Sequence, residues 1–241
     1  MARKPALTPD SPDGVIGPAA TTRASAVYGR LREDIAHGVL EPGSKLGVEA
    51  MGQRYGVGAS PLREALSRLS AEGLVDRSDQ RGFRVAALRW SELPTLTRNR
   101  VQLESLALRE SIEHRDTAWE ESLVLLVHRL SRTPRSLSAE HYLPNPAWET
   151  LHRDFHRTLL SRCPSRWMRA FCDALAEEAY RFRQVAAGKS FSKRNEHQEH
   201  RAIFEAALAG EADEAVRLLT EHYTHTSTLV ATQARTSGQL V

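Results

Sequence analysis

The chain has few cysteines and no long hydrophobic run, and each shortage excludes a class of protein. Its 241 residues include two cysteines, Cys163 and Cys172, spaced neither as a redox pair nor as zinc ligands. No apolar run approaches the roughly 18 to 20 residues of a membrane span, and the first residues lack the hydrophobic segment of a signal peptide. We therefore expect a soluble, cytoplasmic protein that does not bind membranes.

Motifs of common enzymes are also missing. The sequence has no glycine-rich phosphate loop, no Ser-His-Asp pattern and no setting for a reactive cysteine. The segment "HRDFH" has two histidines four residues apart, as zinc proteases do, but it lacks the glutamate after the first histidine. We predict that the chain is not an enzyme. The alternatives are a helical metal-dependent hydrolase that uses the histidines and a protein interaction module that does not bind DNA.

The N-terminal third predicts three helices in succession. Residues 1–23 are rich in Pro, Ala, Thr and Ser without an apolar period, which is typical of a disordered arm. A first helix begins near Ala24 and ends at Gly38, and a second covers "VEAMGQRY", after the turn "EPGSKLG". In the third helix, Ser60 is the predicted N-cap and Pro61 the first helical residue.

Two short strands follow the third helix and complete a recognisable domain. "LVDRS" and "FRVAAL" read as strands joined by the polar turn "DQRG". Three helices followed by a hairpin, with only a few small residues between helices two and three, predict a winged helix-turn-helix over residues 24–88. A net charge of +3 permits a polyanionic partner without requiring one.

The remainder of the chain predicts helices only. Residues 91–234 show helical periods separated by short loops, so the overall fold is expected to be mainly α, with an all-α bundle after the winged domain. The predicted helices run approximately over Glu92 to His114, Ala118 to Arg132, Ala147 to Ser161, Ser165 to Ala187, Ser192 to Ala209 and Ala212 to Ala234.

In a helix-turn-helix, the first turn of the recognition helix faces the bases and phosphates of DNA. Here Ala59, Ser60 and Arg63 occupy that turn, and the guanidinium of Arg63 can bind a guanine or a phosphate. The hairpin turn adds Gln80, Arg81 and Gly82 as candidates for DNA contact. The alternative is that these arginines only solvate an exposed helix face.

Four histidines on three predicted helices are candidate metal ligands. His152 and His156 are four residues apart and share one helix face, while His200 and His222 border apolar faces of two later helices. Four inward imidazoles can hold one borderline divalent cation, such as zinc or nickel. Hydrogen bonds within the core are the alternative role for such histidines.

Specific segments resemble a known family of bacterial regulators. The runs "VYGRLREDIAHGVLEPGSKL", "YGVGASPLREALSRLSAEGLV" and "QRGFRV" resemble the DNA-binding domain of the GntR family. The later segments "FHRTLL" and "EHRAIFEAALAGEADEAVRLLTEHY" resemble the effector-binding domain, of the FCD type, of its FadR-like subfamily. Among members, "GVG…PLREALS" and "GFRVA" are most similar to CsiR-like regulators.

The resemblance implies a homodimeric transcription regulator, expected to be a repressor, that binds a palindromic DNA operator and is released by a small carboxylate. It implies base recognition through the residues that match Ser60 and Arg63. Many members carry a polar base reader where this chain has Ala59, so readout there is expected to be apolar contact or close approach. The bundle is then the domain that binds the effector and forms the dimer.

The resemblance also bears on the metal and effector sites. Many relatives hold a divalent metal with an aspartate and three histidines. His156, His200 and His222 match those histidines, and His152 stands in place of the aspartate. Arg100 matches an arginine that is often near the ligand, and Tyr180, Arg181 and Arg183 are further effector candidates, with surface solvation as their alternative. Two cationic anchors in the cavity would favour a dicarboxylate.

Overall fold

The computed structural model describes residues 22–78, 82–187 and 195–236. In this part of the chain a mixed N-terminal domain precedes a domain of helices only, which confirms the predicted fold class. The first helix begins at Arg23, at the end of the predicted arm, and Thr22 caps it by accepting a hydrogen bond from the amide of Ser25. The rest of that arm lies outside the described residues.

The N-terminal domain contains three helices and a small antiparallel sheet. Its elements are α1 (Arg23–Ala36), β1 (Lys45–Leu46), α2 (Val48–Tyr55), α3 (Ala59–Ala71), β2 (Val75–Ser78) and β3 (Gly82–Val85). Gly56 ends α2 with a φ of +67°, a left-handed conformation that glycine adopts without strain. This sharp end allows α3 to start only three residues later.

The sheet has one strand more than the sequence predicts. Its order is β1-β3-β2, with Leu46 opposite Phe83 and Val75 opposite Val85. The segment "EPGSKLG" is therefore not only a turn, because its last residues pair with the wing. Alternation along β3 buries Phe83 and Val85 against the helices, which closes the apolar core of this domain.

The start of α3 differs from the prediction. The helix begins at Ala59, its N-cap is Gly58, and no side chain caps it. Ser60 therefore lies inside the first turn, and the prediction of Ser60 as N-cap was wrong. The chain already turns into the helix after the extended backbone of Gly58, which has a ψ of 169°.

Six helices form the C-terminal domain in the described residues, after a short turn of 3-10 helix at Trp90–Glu92. They are α4 (Leu93–Glu113), α5 (Thr117–Arg132), α6 (Pro146–Leu159), α7 (Arg166–Ala187), α8 (Glu196–Ala209) and α9 (Ala212–Thr236). Most bounds lie within two residues of the predicted ones. The predicted start of the fifth block at Ser192 falls outside the described residues, and α8 is capped by Asn195.

Packing in this domain centres on α4 and α9, which contact each other extensively. Helix α7 packs on α4, and α8 packs on α9. The main core contains large apolar side chains such as Trp119, Phe155 and Leu219. No helix in the described chain is long and apolar enough to cross a membrane.

Helix α7 also contacts the N-terminal domain directly. Arg32 of α1 lies 3.4 Å from Glu177, and the rings of His37 and Tyr180 meet edge to face at 5.7 Å. Buried Arg181 donates a hydrogen bond to the carbonyl of Ala86, at 3.0 Å. Helix α7 of the bundle therefore contacts both α1 and Ala86, the residue that follows β3, in the winged domain.

Candidate DNA interface and metal centre

The first turn of α3 presents three side chains to solvent, those of Ala59, Ser60 and Arg63. Arg63 makes no hydrogen bond or ion pair within the described chain and lines a shallow groove with α2. Because no side chain caps this helix, the amides of Ala59 and Ser60 can meet an anion such as a phosphate, whereas Pro61 has no amide hydrogen and the amide of Leu62 bonds to Gly58. The predicted DNA-contact residues of α3 thus share one exposed surface.

A second arginine on α3 has a different role. Arg68 lies over the ring of Tyr28, 4.0 Å from its centroid, and Tyr28 in turn donates a hydrogen bond to Glu72. This contact holds α3 against α1. Arg63 is therefore better placed for an external partner than Arg68.

The wing is only partly described. Gly82 is exposed at the start of β3 with a φ of +81°, a left-handed conformation that glycine adopts without strain. Gln80 and Arg81 lie outside the described residues, so their contribution stays a prediction.

The four predicted histidines meet in the bundle. His152 and His156 come from α6, His200 from α8 and His222 from α9, and one ring nitrogen from each lies within 4.8 Å of the others. The ring centroids of His200 and His222 are 4.7 Å apart. Nitrogen ligands of a tetrahedral zinc ion are roughly 3.4 Å apart, given bonds of about 2.0 to 2.1 Å. Small side-chain rotations would close the cluster on an ion.

Two of these histidines are oriented by an oxygen atom next to Nδ1. The hydroxyl of Tyr223 donates its hydrogen to Glu104, so its oxygen accepts a hydrogen bond from Nδ1 of His156, at 3.1 Å. Likewise, Nδ1 of His222 lies 2.8 Å from a carboxylate oxygen of Glu199. The ring of His156 therefore directs an unprotonated Nε2 elsewhere, and this atom is buried without a hydrogen bond in the described chain.

The surroundings keep two histidines of the cluster, His152 and His156, in the neutral form. Burial lowers the pKa of His152 well below its ordinary value, and the positive charge of Arg183 lowers it further. Burial also lowers the pKa of His156, followed by the effect of His222. Neutral imidazole is the form that binds a metal ion. The donor set thus fits a borderline divalent cation.

A cavity of about 100 Å³ adjoins the histidines, and two arginines line it. Arg100 donates to Glu104 at 2.7 Å and lies over the ring of Tyr223, while Arg183 donates to buried Glu149 at 2.8 Å. Burial alone would lower the pKa of each guanidinium, but Glu104 and Glu149 raise the pKa of their partners. Both arginines stay charged at the cavity wall.

The two remaining predicted effector residues, Tyr180 and Arg181, differ in whether they line the cavity. Tyr180 lines the cavity, and its buried hydroxyl has no hydrogen-bond partner in the described chain. Arg181 does not line the cavity but lies at the junction with the winged domain, bonded to Ala86 and Glu178. Cys172 is also in the wall, and burial raises the pKa of its thiol to about 12, which makes it unreactive.

Sequence reasoning missed three residues that support the cluster, namely Glu104, Glu199 and Tyr223. Glu199 and Tyr223 are direct neighbours of His200 and His222 in the chain, and Glu104 lies four residues after Arg100. Their positions next to predicted site residues were a weak signal. Their pairing depends on contacts between residues as much as 119 positions apart.

Comparisons with known proteins match both domains. The family model for bacterial regulatory proteins of the gntR family matches residues 23–85, and the model for the FCD domain matches residues 95–225. The HTH-type transcriptional regulator BphR of Paraburkholderia xenovorans strain LB400 is 39% identical over 198 residues, covering 82% of this chain and 80% of the relative.

Two further relatives agree. The HTH-type transcriptional repressor GlaR of Escherichia coli K12 is 29% identical over 199 residues, covering 81% of this chain and 90% of the relative. The solved structure of McbR/YncC from Escherichia coli has a TM-score of 0.73 at 17% identity and covers 89% of this chain and 99% of that one. At this identity the structural likeness supports the fold alone.

Proposed function

Since this chain belongs to the GntR family of bacterial transcription regulators and carries an FCD domain, we propose that it is a repressor whose operator binding responds to a small carboxylate. The operator is double-stranded DNA, read by α3 and the wing. The effector occupies the cavity beside the four histidines. The family and the relatives are regulators, not enzymes, and they give no support to the hydrolase alternative.

DNA recognition rests on the exposed first turn of α3. Arg63 supplies a guanidinium that can bind a guanine through two nitrogens, and Ser60 supplies a hydroxyl on the same surface. Ala59 allows close approach to a base or contact with a thymine methyl group. Gln80, Arg81 and Gly82 would add contacts from the wing.

Effector recognition rests on the cavity chemistry. His152, His156, His200 and His222 would hold a divalent cation, with zinc or nickel favoured by the imidazole donors. Such a cation would supply a positive charge that attracts a carboxylate. Arg100, Arg183 and the buried hydroxyl of Tyr180 line the same cavity and could bind a second polar group, which favours a small dicarboxylate.

The observation that carries the proposal is the double contact of α7. Tyr180 and Glu177 both line the cavity, and both touch the winged domain, Tyr180 at His37, the C-cap of α1, and Glu177 at Arg32 of α1. A ligand that moves either side chain changes the junction between the domains. In a homodimer, a change at the junction would alter the spacing of two recognition helices across a palindrome with half-sites about one helical turn apart.

Binding of the purified protein to its own upstream DNA tests this proposal. We expect retardation of a fragment from a neighbouring promoter, in the presence of competitor DNA, and release by one member of a panel of small dicarboxylates and sugar acids. Failure to bind any neighbouring promoter fragment would contradict the DNA part.

A variant separates the two halves of the proposal. His200→Ala should bind the promoter fragment as the wild type does but should lose the response to the effector, because His200 lies in the cluster and far along the chain from α3. An unchanged effector titration would contradict the role of the histidine cluster. We further propose a cytoplasmic homodimer of the FadR-like subfamily, similar to CsiR-like regulators, and size-exclusion chromatography with light scattering tests its dimeric state.

A further inference from the structure

His152 differs from the other three histidines of the cluster. The residue is half-buried, whereas His156, His200 and His222 are buried. Its Nδ1 atom has no hydrogen-bond partner in the described chain, while Nδ1 of His156 and Nδ1 of His222 each meet an oxygen of Tyr223 or Glu199. Within the described residues, the ring of His152 therefore lacks the kind of oxygen partner that orients His156 and His222.

The ring of His152 also packs against a residue outside the cluster. It stacks on the indole of Trp148, with centroids 4.7 Å apart and planes 15° apart. Trp148 lies one turn earlier on α6, so this stack is local and does not depend on an ion. His152 can therefore leave the cluster without losing all of its packing.

Coordination chemistry makes such a departure useful. A tetrahedral ion with four imidazole ligands has no position left for an effector, whereas sites that act on small molecules keep one position open. His152 lines the effector cavity, as do His156 and His222. Arg183 lines the same wall and lies over the Trp148 ring, at 5.8 Å, so an incoming carboxylate would meet a positive charge close to the stacked ring.

We propose that His152 is a displaceable fourth ligand, and that a carboxylate effector binds by taking its position on an ion held by His156, His200 and His222. One bond from the ion to an imidazole nitrogen breaks and one bond to a carboxylate oxygen forms, with no change in oxidation state. His152 then remains stacked on Trp148. The inference rests on the metal site of the proposed function and adds how that site admits its ligand.

Cobalt substitution tests the exchange directly. Metal-free full-length protein is loaded with Co²⁺, whose visible spectrum reports its ligands, and acetate is then added. We expect His152→Ala to keep one Co²⁺ per chain and to bind acetate about tenfold more tightly than the wild type, since no side chain competes. We expect His156→Ala to lose Co²⁺ affinity by roughly 100-fold or more, because this ring is a fixed ligand.

Controls keep the result interpretable. His114→Ala changes an exposed histidine at the end of α4 and should behave as the wild type. His152→Gln preserves more of the side-chain volume, and thermal melts of both His152 variants identify any loss of folding. If the alanine variant is unfolded, the glutamine variant carries the comparison.

Three results would contradict the proposed exchange of His152 for a carboxylate. Loss of Co²⁺ in the folded His152 variants to the same degree as in His156→Ala would make His152 an ordinary ligand and overturn the inference. Equal acetate affinity in wild type and variant would overturn it as well, while leaving the metal site intact. If the wild type binds no Co²⁺, the metal part of the proposed function fails together with the inference, and promoter binding is then judged by its own experiment.

Discussion

The two domains place their polar side chains in opposite positions. Within the described residues, every buried polar or charged side chain lies between residues 104 and 222, in the helical bundle, and the buried residues of the winged domain are all hydrophobic. The winged domain keeps its candidate contact residues, Arg63 and Ser60, on the outside. The bundle keeps its own, such as His200 and Arg183, on the inside.

Under the proposed function, this difference follows from the size of the two partners. DNA is larger than the domain and can be met only by side chains that project from a rigid surface, so an apolar core beneath α3 suffices. A small carboxylate can be surrounded, which requires polar groups in the interior, and each of these needs a partner to offset its loss of water. The pairs Arg100–Glu104 and Arg183–Glu149 are that compensation.

The largest expected effect on stability comes from removing one partner of a buried ion pair in the bundle. Arg183→Ala leaves the carboxylate of Glu149 buried without its counter-charge, and we expect it to lower the free energy of unfolding by about 3 to 5 kcal/mol. Chemical denaturation of the variant measures this loss. The double variant Arg183→Met with Glu149→Gln should recover much of it, and a loss below about 1 kcal/mol in the single variant would contradict a buried, stabilising pair.

Truncating one side chain in the apolar core of the winged domain is expected to lower the free energy of unfolding by a similar or smaller amount. Leu66→Ala removes a fully buried side chain of α3 and should cost about 2 to 5 kcal/mol of stability. The matched control, Leu106→Ala in α4, changes a leucine that is 53% exposed and should stay within about 0.5 kcal/mol. Thermal melts of the two variants compare them, and equal losses would contradict the assigned burial.

Arg63→Ala tests the exposed surface and should leave folding unaffected. We expect a loss of about 1 to 3 kcal/mol in binding to the promoter fragment if the guanidinium reads a base, with stability unchanged. Fluorescence anisotropy at fixed salt measures the binding. Arg201→Ala, an exposed arginine of α8, serves as the control, and equal binding by the two variants would remove Arg63 from the interface.

The smallest expected effect on stability comes from comparing two residues at the starts of helices in the winged domain, Thr22 before α1 and Ser60 in the first turn of α3. Thr22→Ala removes the side chain that caps α1 and should cost about 1 kcal/mol. Ser60→Ala should leave stability within about 0.5 kcal/mol, because Ser60 is not the cap of α3. Denaturation curves for both variants test this, and a larger loss for Ser60→Ala would restore Ser60 as a structural residue.

Much of the fold could be predicted because its signals are local. Apolar spacing and flanking caps located the long helices, and Gly56 located the break before α3. Strand β1 escaped because two residues are too few for a period, and its pairing with β3 depends on residues almost 40 positions away. The cap of α3 escaped because serine before proline is a common start, whereas the chain enters this helix at Gly58.

The candidate site shows the same difference between features with local sequence signals and features that depend on distant contacts. Spacing on α6 and the family resemblance placed the four histidines, but their oxygen partners come from other helices and no local pattern reveals them. The effector candidates on α7 could have been sorted by helix geometry. Tyr180 and Arg183 are three residues apart and share a face, while Arg181 points roughly 160° away from Arg183.

The position of Tyr180 has one more consequence, because its ring is a wall of the cavity and also part of the junction with α1. Coupling between two binding sites is reciprocal: a ligand that weakens operator binding tenfold must itself bind tenfold more weakly to the protein on DNA. Under the proposed function, the operator would therefore act on the cavity as much as the cavity acts on the operator. Free protein and DNA-bound protein would thus respond to different concentrations of the same effector.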